Sequence, residues 1–288
     1  MKKSSTPGLP TAAFIIIFSD LDGTLLDSNT YRWEKALPAL DLCKMLDIPV
    51  ILVSSKTRGE IDLLRHKLSV KAPFVSENGG GIFFPKDIFK NPPTGASLDD
   101  NLWKWSLGCP YDSLVKALQE IRDKLGWNIR GFSDMSIEEI SRLTGLDRQA
   151  SHLAAMREYD EPFIIIDDKH QDKSILIKAA AQRGLMVTVG GRFYHLQGKN
   201  DKGKAMKKLI SWYKELKGGV VSVALGDTMN DFPMLELADY PVLIRSLRDF
   251  APPKKKILRL KVTREIGPKG WNTAVFDILD KMERADNA

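Results

Sequence analysis

The chain has 288 residues, of which 43% are hydrophobic and 28% charged, and carries a net charge of +6. At ~150 residues per domain this suggests about two domains with an ordinary core, and excludes a disordered chain, a fibre or a coiled coil. Only Cys43 and Cys109 are present, too few for a disulfide framework or a thiolate zinc site, so a reducing cytoplasm is expected.

The first apolar run, AAFIIIF (12–18), follows two lysines but leads straight into SDLDGT without a small-residue cleavage site, and is read as a buried strand rather than a signal segment. No apolar stretch approaches the ~20 residues that span a bilayer, so no membrane partner is expected. FIIIFSDLD (14–22), IPVILVSS (48–55) and VVSVALGD (220–227) are continuous apolar runs ending in polar residues, the pattern of strands buried on both faces. Helical spacing over 38–47, 58–68, 200–216, 229–239 and 270–285 separates them, and such alternation predicts a parallel sheet covered by helices. From about Phe84 to Leu107 the chain is rich in Pro, Asn, Asp and Trp and lacks periodicity. Helices follow over 112–126 and as a pair over 136–158, then a strand at 162–167, a helix at 173–184 and a hairpin at 185–197. The expected architecture is therefore α/β: a Rossmann-like parallel-sheet core domain (1–83 and 198–288) with an inserted α+β cap domain (84–197).

Four strand ends carry chemistry. Asp20 and Asp22 are two apart at the end of a buried strand, at the sheet edge where open α/β folds place their sites. Two like charges there need a cation, a proton or substrate chemistry to offset them. One Asp alone would serve as a helix cap; a pair followed by Gly-Thr fits that role poorly. Asp227 ends another strand and Asp231 lies a turn further on in LGDTMND. Hard oxygen ligands without His or Cys nearby favour Mg²⁺ over zinc. In VSSKT (53–57), Ser54 or Ser55 offers a hydroxyl and Lys56 a cation; Lys202 precedes a helix where ammonium and amide dipoles meet an anion, with Lys199 and Lys204 as competitors. The basic runs KGKAMKK (202–208) and PPKKKILRLK (252–261) lack interleaved aromatics, so the positive charge is read as suiting a small anionic substrate and not nucleic acid. The pattern leaves the oligomeric state open.

DLDGT at 20–24, Ser54, Lys202 and GDTMND at 226–231 resemble, in order, the four motifs of haloacid dehalogenase-like phosphatases, and the insertion lies where that superfamily places a type IIB cap. Within the superfamily, VSSKT, SENGGG (76–81), REYDEPF (157–163), GGRFYHL (190–196) and GPKGW (267–271) look like mannosyl-3-phosphoglycerate phosphatases. General sugar phosphatases of the superfamily usually show Thr-Gly-Arg where this chain has Ser54-Ser55-Lys56. The resemblance implies a Mg²⁺-dependent phosphatase acting through an aspartyl-phosphate. Asp20 would be the nucleophile, Asp22 the acid and base, and Ser54 and Lys202 the partners of the phosphoryl group. The metal would be held by Asp20, the backbone carbonyl of Asp22 and Asp227, with Asp231 as a further ligand or a support. Lys56, Asn78, Arg157, Arg192 and His195 are the candidates for binding the rest of the substrate. A phosphatase of another sugar phosphate, such as glucosyl-3-phosphoglycerate or sucrose phosphate, is the alternative.

Overall fold

The computed structural model describes residues 14–166, 171–190, 193–246 and 257–286. In chain order the elements are β1 (Phe14–Ser19), α1 (Leu37–Met45), β2 (Val50–Val53), α2 (Arg58–Lys67), β3 (Phe74–Ser76), β4 (Gly81–Pro85), β5 (Ser97–Asp99) and β6 (Leu102–Ser106). They continue with α3 (Tyr111–Leu125), β7 (Ile129–Gly131), α4 (Ile137–Thr144), α5 (Arg148–Ala155), β8 (Asp160–Ile165), α6 (Lys173–Ala181), β9 (Met186–Gly190) and β10 (Phe193–Gln197). The last are α7 (Lys202–Lys217), β11 (Val220–Gly226), α8 (Phe232–Leu235), β12 (Tyr240–Arg245), β13 (Lys261–Ile266) and α9 (Gly267–Asp286). The chain forms two compact units: Met1–Val53 with Met206–Ala288, and the intervening Ser54–Ala205. The fold class is the expected one, a parallel-sheet α/β core with an α+β segment inserted into it.

The first unit is built on parallel strands in the order β13-β12-β11-β1-β2. β1 is central, and Ile16, Ile17 and Phe18 are buried, as a continuous apolar run requires of a strand covered on both faces. Register decides the rest: Ser19 of β1 lies opposite Leu225 of β11. The residues that follow, Asp20 and Asp227, therefore leave the sheet at the same edge. Helix α9 is tied to this edge, with Trp271 fully buried and its indole N–H donating to Ser19 Oγ at 2.9 Å.

The second unit contains antiparallel strands in the order β3-β4-β6-β5 and a second antiparallel sheet, β7-β8-β10-β9. One face of β7-β8-β10-β9 is covered by α3 and α6, whose Leu114, Leu118, Ile121 and Leu176 close a core with Phe163 and Leu196. Phe163 is fully buried and stacks on Tyr194, with ring centroids 5.5 Å apart. Phe163→Ala is expected to cost about 3–5 kcal/mol, read as a shift of the denaturation midpoint at constant slope. The pair α4 and α5 matches the helix pair expected over 136–158. Each starts on a side-chain cap, Ser136 accepting from the amide of Glu139 and Asp147 from that of Ala150.

Three local expectations need correction. The aperiodic stretch 84–107 contains β5 and β6; in β5, Ser97 and Leu98 are exposed and only Leu98 of its three residues is apolar. Strand β13 begins where the basic run 252–261 ends, in a stretch for which no strand was expected, and it too is half exposed. The helix expected over 229–239 shrinks to a 3₁₀ turn and α8, because Asp239 is drawn to β11, where its Oδ2 accepts from Ser222 N at 2.8 Å and Ser222 Oγ at 2.7 Å. Among the described residues no helix is long and apolar enough to cross a membrane.

Candidate active site

In the first unit, the chain leaving β1 turns at once. Asp20 N donates to Leu225 O, which keeps it in the ladder, while Leu26 N and Thr24 N fold back onto Leu21 O. Gly23 supplies the turn with a φ of +87°, a region that side chains rarely adopt. A Cβ at Gly23 would also collide with the carboxylate of Asp227. Glycine is therefore required here by both conformation and space. The fully buried Thr24 directs its hydroxyl to Asp227 Oδ1 at 3.5 Å.

At the end of β11 the carboxylate of Asp231 caps its own loop, Oδ2 accepting from Asp227 N at 3.0 Å and Thr228 N at 2.9 Å. Gly226 leaves the room this requires, since a Cβ there would overlap the side chain of Asp231. The outcome is a cluster of three buried carboxylates, Asp20, Asp227 and Asp231, each offering an oxygen within 4.8 Å of the others. Asp22 stands apart from it, half-buried after the turn. Three buried anions at this separation repel one another strongly unless a cation joins them. An all-oxygen donor set without nitrogen or sulfur suits a hard divalent cation, so the residues fit a metal of the Mg²⁺ type.

The second unit collects the other candidates. Ser54 is buried, its amide bonded to Val75 O and its Oγ accepting from Lys56 N at 3.2 Å. Lys56 Nζ lies 3.9 Å from Glu60 Oε1. Asn78, with a φ of +52°, donates its amide to Ser54 O at 2.9 Å. Lys202, the first residue of α7, is almost fully buried, whereas Lys204 is exposed and turned back to Asp201 at 3.3 Å and to Lys199 O. The next glycine, Gly79, packs so tightly on the backbone of Asp201 and Lys202 that a Cβ there would collide with Asp201 O. Ser54, Asn78 and Lys202 are thus brought together within this unit.

Arg157 and His195 converge on a residue that was not among the candidates. Asp160 is fully buried, and its Oδ2 takes His195 Nδ1 at 2.7 Å and Arg157 Nη1 at 3.4 Å. Arg157 also donates from Nε to Ala154 O and from Nη1 to Ser55 O. Burial works against its charge, but Asp160 and then Glu77 more than offset this and hold the guanidinium above its usual pKa. Glu161 is fully buried too, with Ser133 donating through its amide and its hydroxyl; burial pushes its pKa up. Arg192 lies outside the described residues. The sequence signal for Asp160 was its place in the charged REYDEP stretch at the start of an apolar strand.

A carboxylate cluster at the carboxyl edge of a parallel sheet, interrupted by an inserted α+β segment, defines the haloacid dehalogenase-like hydrolase class, and the model of that family matches residues 17–99. Solved structures share the fold: one from Thermoplasma acidophilum (TM-score 0.65, 20% identity, covering 94% of this chain and 99% of that one) and a haloacid dehalogenase-like hydrolase from Bacteroides thetaiotaomicron (TM-score 0.62, 18% identity, covering 94% and 99%). In sequence the chain is 42% identical to a glucosyl-3-phosphoglycerate/mannosyl-3-phosphoglycerate phosphatase of Methanococcoides burtonii, over 92% of this chain and 97% of that protein. It is 36% identical to the mannosyl-3-phosphoglycerate phosphatase of Pyrococcus furiosus, over 81% and 92%. The chain belongs to the mannosyl-3-phosphoglycerate phosphatase family of haloacid dehalogenase-like hydrolases.

Proposed function

We propose that the protein hydrolyses mannosyl-3-phosphoglycerate to mannosylglycerate and phosphate through an aspartyl-phosphate on Asp20. The observation that carries this reading is the buried cluster of Asp20, Asp227 and Asp231 in a chain of this family. Asp20, at the mouth of β1 with its amide tied to Leu225 O, would present a carboxylate oxygen to phosphorus. As that P–O bond forms, the bond to the leaving alcohol breaks, and Asp22 gives its proton to the departing oxygen. In the second half Asp22 takes a proton from water, whose oxygen attacks phosphorus and returns Asp20 as free carboxylate. Asp22 suits this role because it is half-buried and outside the carboxylate cluster.

Mg²⁺, held by Asp20, Asp227, the Asp22 carbonyl and Asp231, would supply charge neutralisation to the phosphate oxygens. Asp231 would chiefly set the loop of Asp227, since one of its oxygens already accepts two amides. Ser54 and Lys202 are assigned to the phosphoryl oxygens, one as hydroxyl donor and one as cation. The cap at 84–197 is assigned substrate choice, its Arg192 and His195 holding the glycerate carboxylate and the sugar together with Lys56 and Asn78, which lie outside it. Arg157, committed to three protein oxygens, would act by fixing Asp160 and His195. Glucosyl-3-phosphoglycerate is the second substrate to consider, because the relatives from Methanococcoides burtonii and Persephonella marina carry both names.

A panel of phosphate esters with phosphate release as the readout tests this. Mannosyl-3-phosphoglycerate should show the highest kcat/KM, and EDTA should lower turnover by at least ~10²-fold, restored by Mg²⁺. Full turnover after exhaustive EDTA treatment would sink the metal assignment, and a preference for sucrose phosphate the substrate.

A further inference from the structure

Glu77 sits where four segments of the second unit meet. It is fully buried, and it opens a run of three consecutive left-handed residues, with φ of +47° at Glu77, +52° at Asn78 and +93° at Gly79. Two non-glycine residues in succession adopt this conformation only where the surroundings over-determine it. Here they do. The Glu77 amide donates to Lys56 O at 3.0 Å and the Asn78 amide to Ser54 O at 2.9 Å, which clamps the VSSKT loop. On the other side, Asn200 Nδ2 donates to Glu77 O at 3.2 Å, and Gly79 packs on Asp201 and Lys202, which places the start of α7. The carboxylate itself reaches a fourth segment 81–82 residues away, accepting from Glu158 N at 3.0 Å and Tyr159 N at 2.8 Å.

We propose that Glu77 is a positioning residue of the site: its carboxylate locks the left-handed loop to the 157–160 segment and so holds Ser54 and Lys202 in one arrangement. The inference rests on the phosphatase reading above, because it takes Ser54 and Lys202 as the partners of the phosphoryl group. Glu77 does not touch substrate; it acts through the backbones it bonds. Its effect should therefore fall on turnover for every phosphate ester alike, and much less on the recognition of the sugar.

The charged surroundings make this lock sensitive to pH. Burial, opposed by Arg157 and reinforced by Asp160, pushes Glu77 from 4.5 up to about 8. The two amides of Glu158 and Tyr159 favour the anion, and Tyr159 in turn feels the charge of Glu77, as well as those of Lys104 and Glu158. Glu60 and Tyr111 bear on the same Arg157. Because the folded state keeps the proton that the unfolded chain releases at 4.5, stability falls as pH rises from 4.5 to about 8 and then levels off. Ionisation above that point sets a second buried negative charge beside Asp160, whose repulsion opposes the hold of the two amides.

Glu77→Gln imitates the protonated acid and Glu77→Ala removes the acceptor. The expected result is that Glu77→Ala lowers kcat at least ~10-fold, equally on mannosyl-3-phosphoglycerate and p-nitrophenyl phosphate and with little change in KM, since a small misplacement of catalytic groups costs rate more than binding. Glu77→Gln should keep kcat within ~3-fold of wild type at pH 6 and abolish the alkaline decline expected of wild type near pH 8, with a shallower fall of Tm between pH 5 and 8 than wild type. A folded Glu77→Ala protein with wild-type kcat, or a Glu77→Gln protein retaining the wild-type alkaline limb, would overturn the proposal. Wild type inactive on both esters would instead defeat the phosphatase reading, and this inference with it.

Discussion

Asp20→Asn is expected to reduce kcat by at least ~10⁴-fold and to leave no acid-stable phosphoenzyme after quenching with labelled substrate. The amide has the shape of the carboxylate but neither its charge nor its nucleophilic oxygen. The fold should survive, because the Asp20 backbone, not its side chain, completes the ladder to Leu225. Indeed, one of three mutually repelling buried carboxylates becomes neutral, so the metal-free variant should melt no lower than the metal-free wild type. The opposing outcome, a folded variant that still forms phosphoenzyme, would show that another residue attacks phosphorus. A melting temperature well below wild type in EDTA would show that the cluster is tied together by a shared proton rather than by a cation.

Gly23→Ala should be nearly as damaging, though it removes no functional group. Alanine at a φ of +87° costs on the order of 1–2 kcal/mol in backbone strain alone. The new methyl group also needs the space held by the Asp227 carboxylate, itself buried and tied through Thr24. The least costly relief is a shift of Asp227 out of the cluster, and displacement of a catalytic group by about 1 Å costs ~10²-fold in rate. We therefore expect kcat to fall ~10²-fold and the Mg²⁺ concentration for half-maximal activity to rise, with a Tm only a few degrees lower. Unchanged metal dependence alongside a lowered Tm would place the damage in the β1 turn and clear Asp227.

How far the sequence can be read depended on where each group lies relative to a buried strand. FIIIFSDLD and VVSVALGD were legible as strands ending in acid because both faces of β1 and β11 are covered, leaving continuous apolar runs with an abrupt polar end. The helix pair α4 and α5 was legible because its caps are local, Ser136 with Glu139 and Asp147 with Ala150. β5 and β13 escaped because exposed strands share no such run, and α8 was overestimated because Asp239 bonds to Ser222 on a neighbouring strand.

The motifs themselves, and with them the family, were thus a property of the linear chain, since each motif is a short polar segment set by the strand before it. What those segments do to one another was decided only by tertiary structure. Asp20 and Asp227 are two hundred residues apart, and it is the parallel register of Ser19 opposite Leu225 that makes them neighbours. Asp231 enters the cluster through two loop amides, while Asp22, only two residues from Asp20, stays outside it. In the second unit, Asp160 gathers Arg157 and His195 because it faces β10 from β8. Glu77 reaches Glu158 and Tyr159 only because the chain returns past it 81 residues later. Periodicity and propensity act over a few residues, whereas a buried charge takes its partners from whatever the fold brings within hydrogen-bonding distance, and that is a long-range choice.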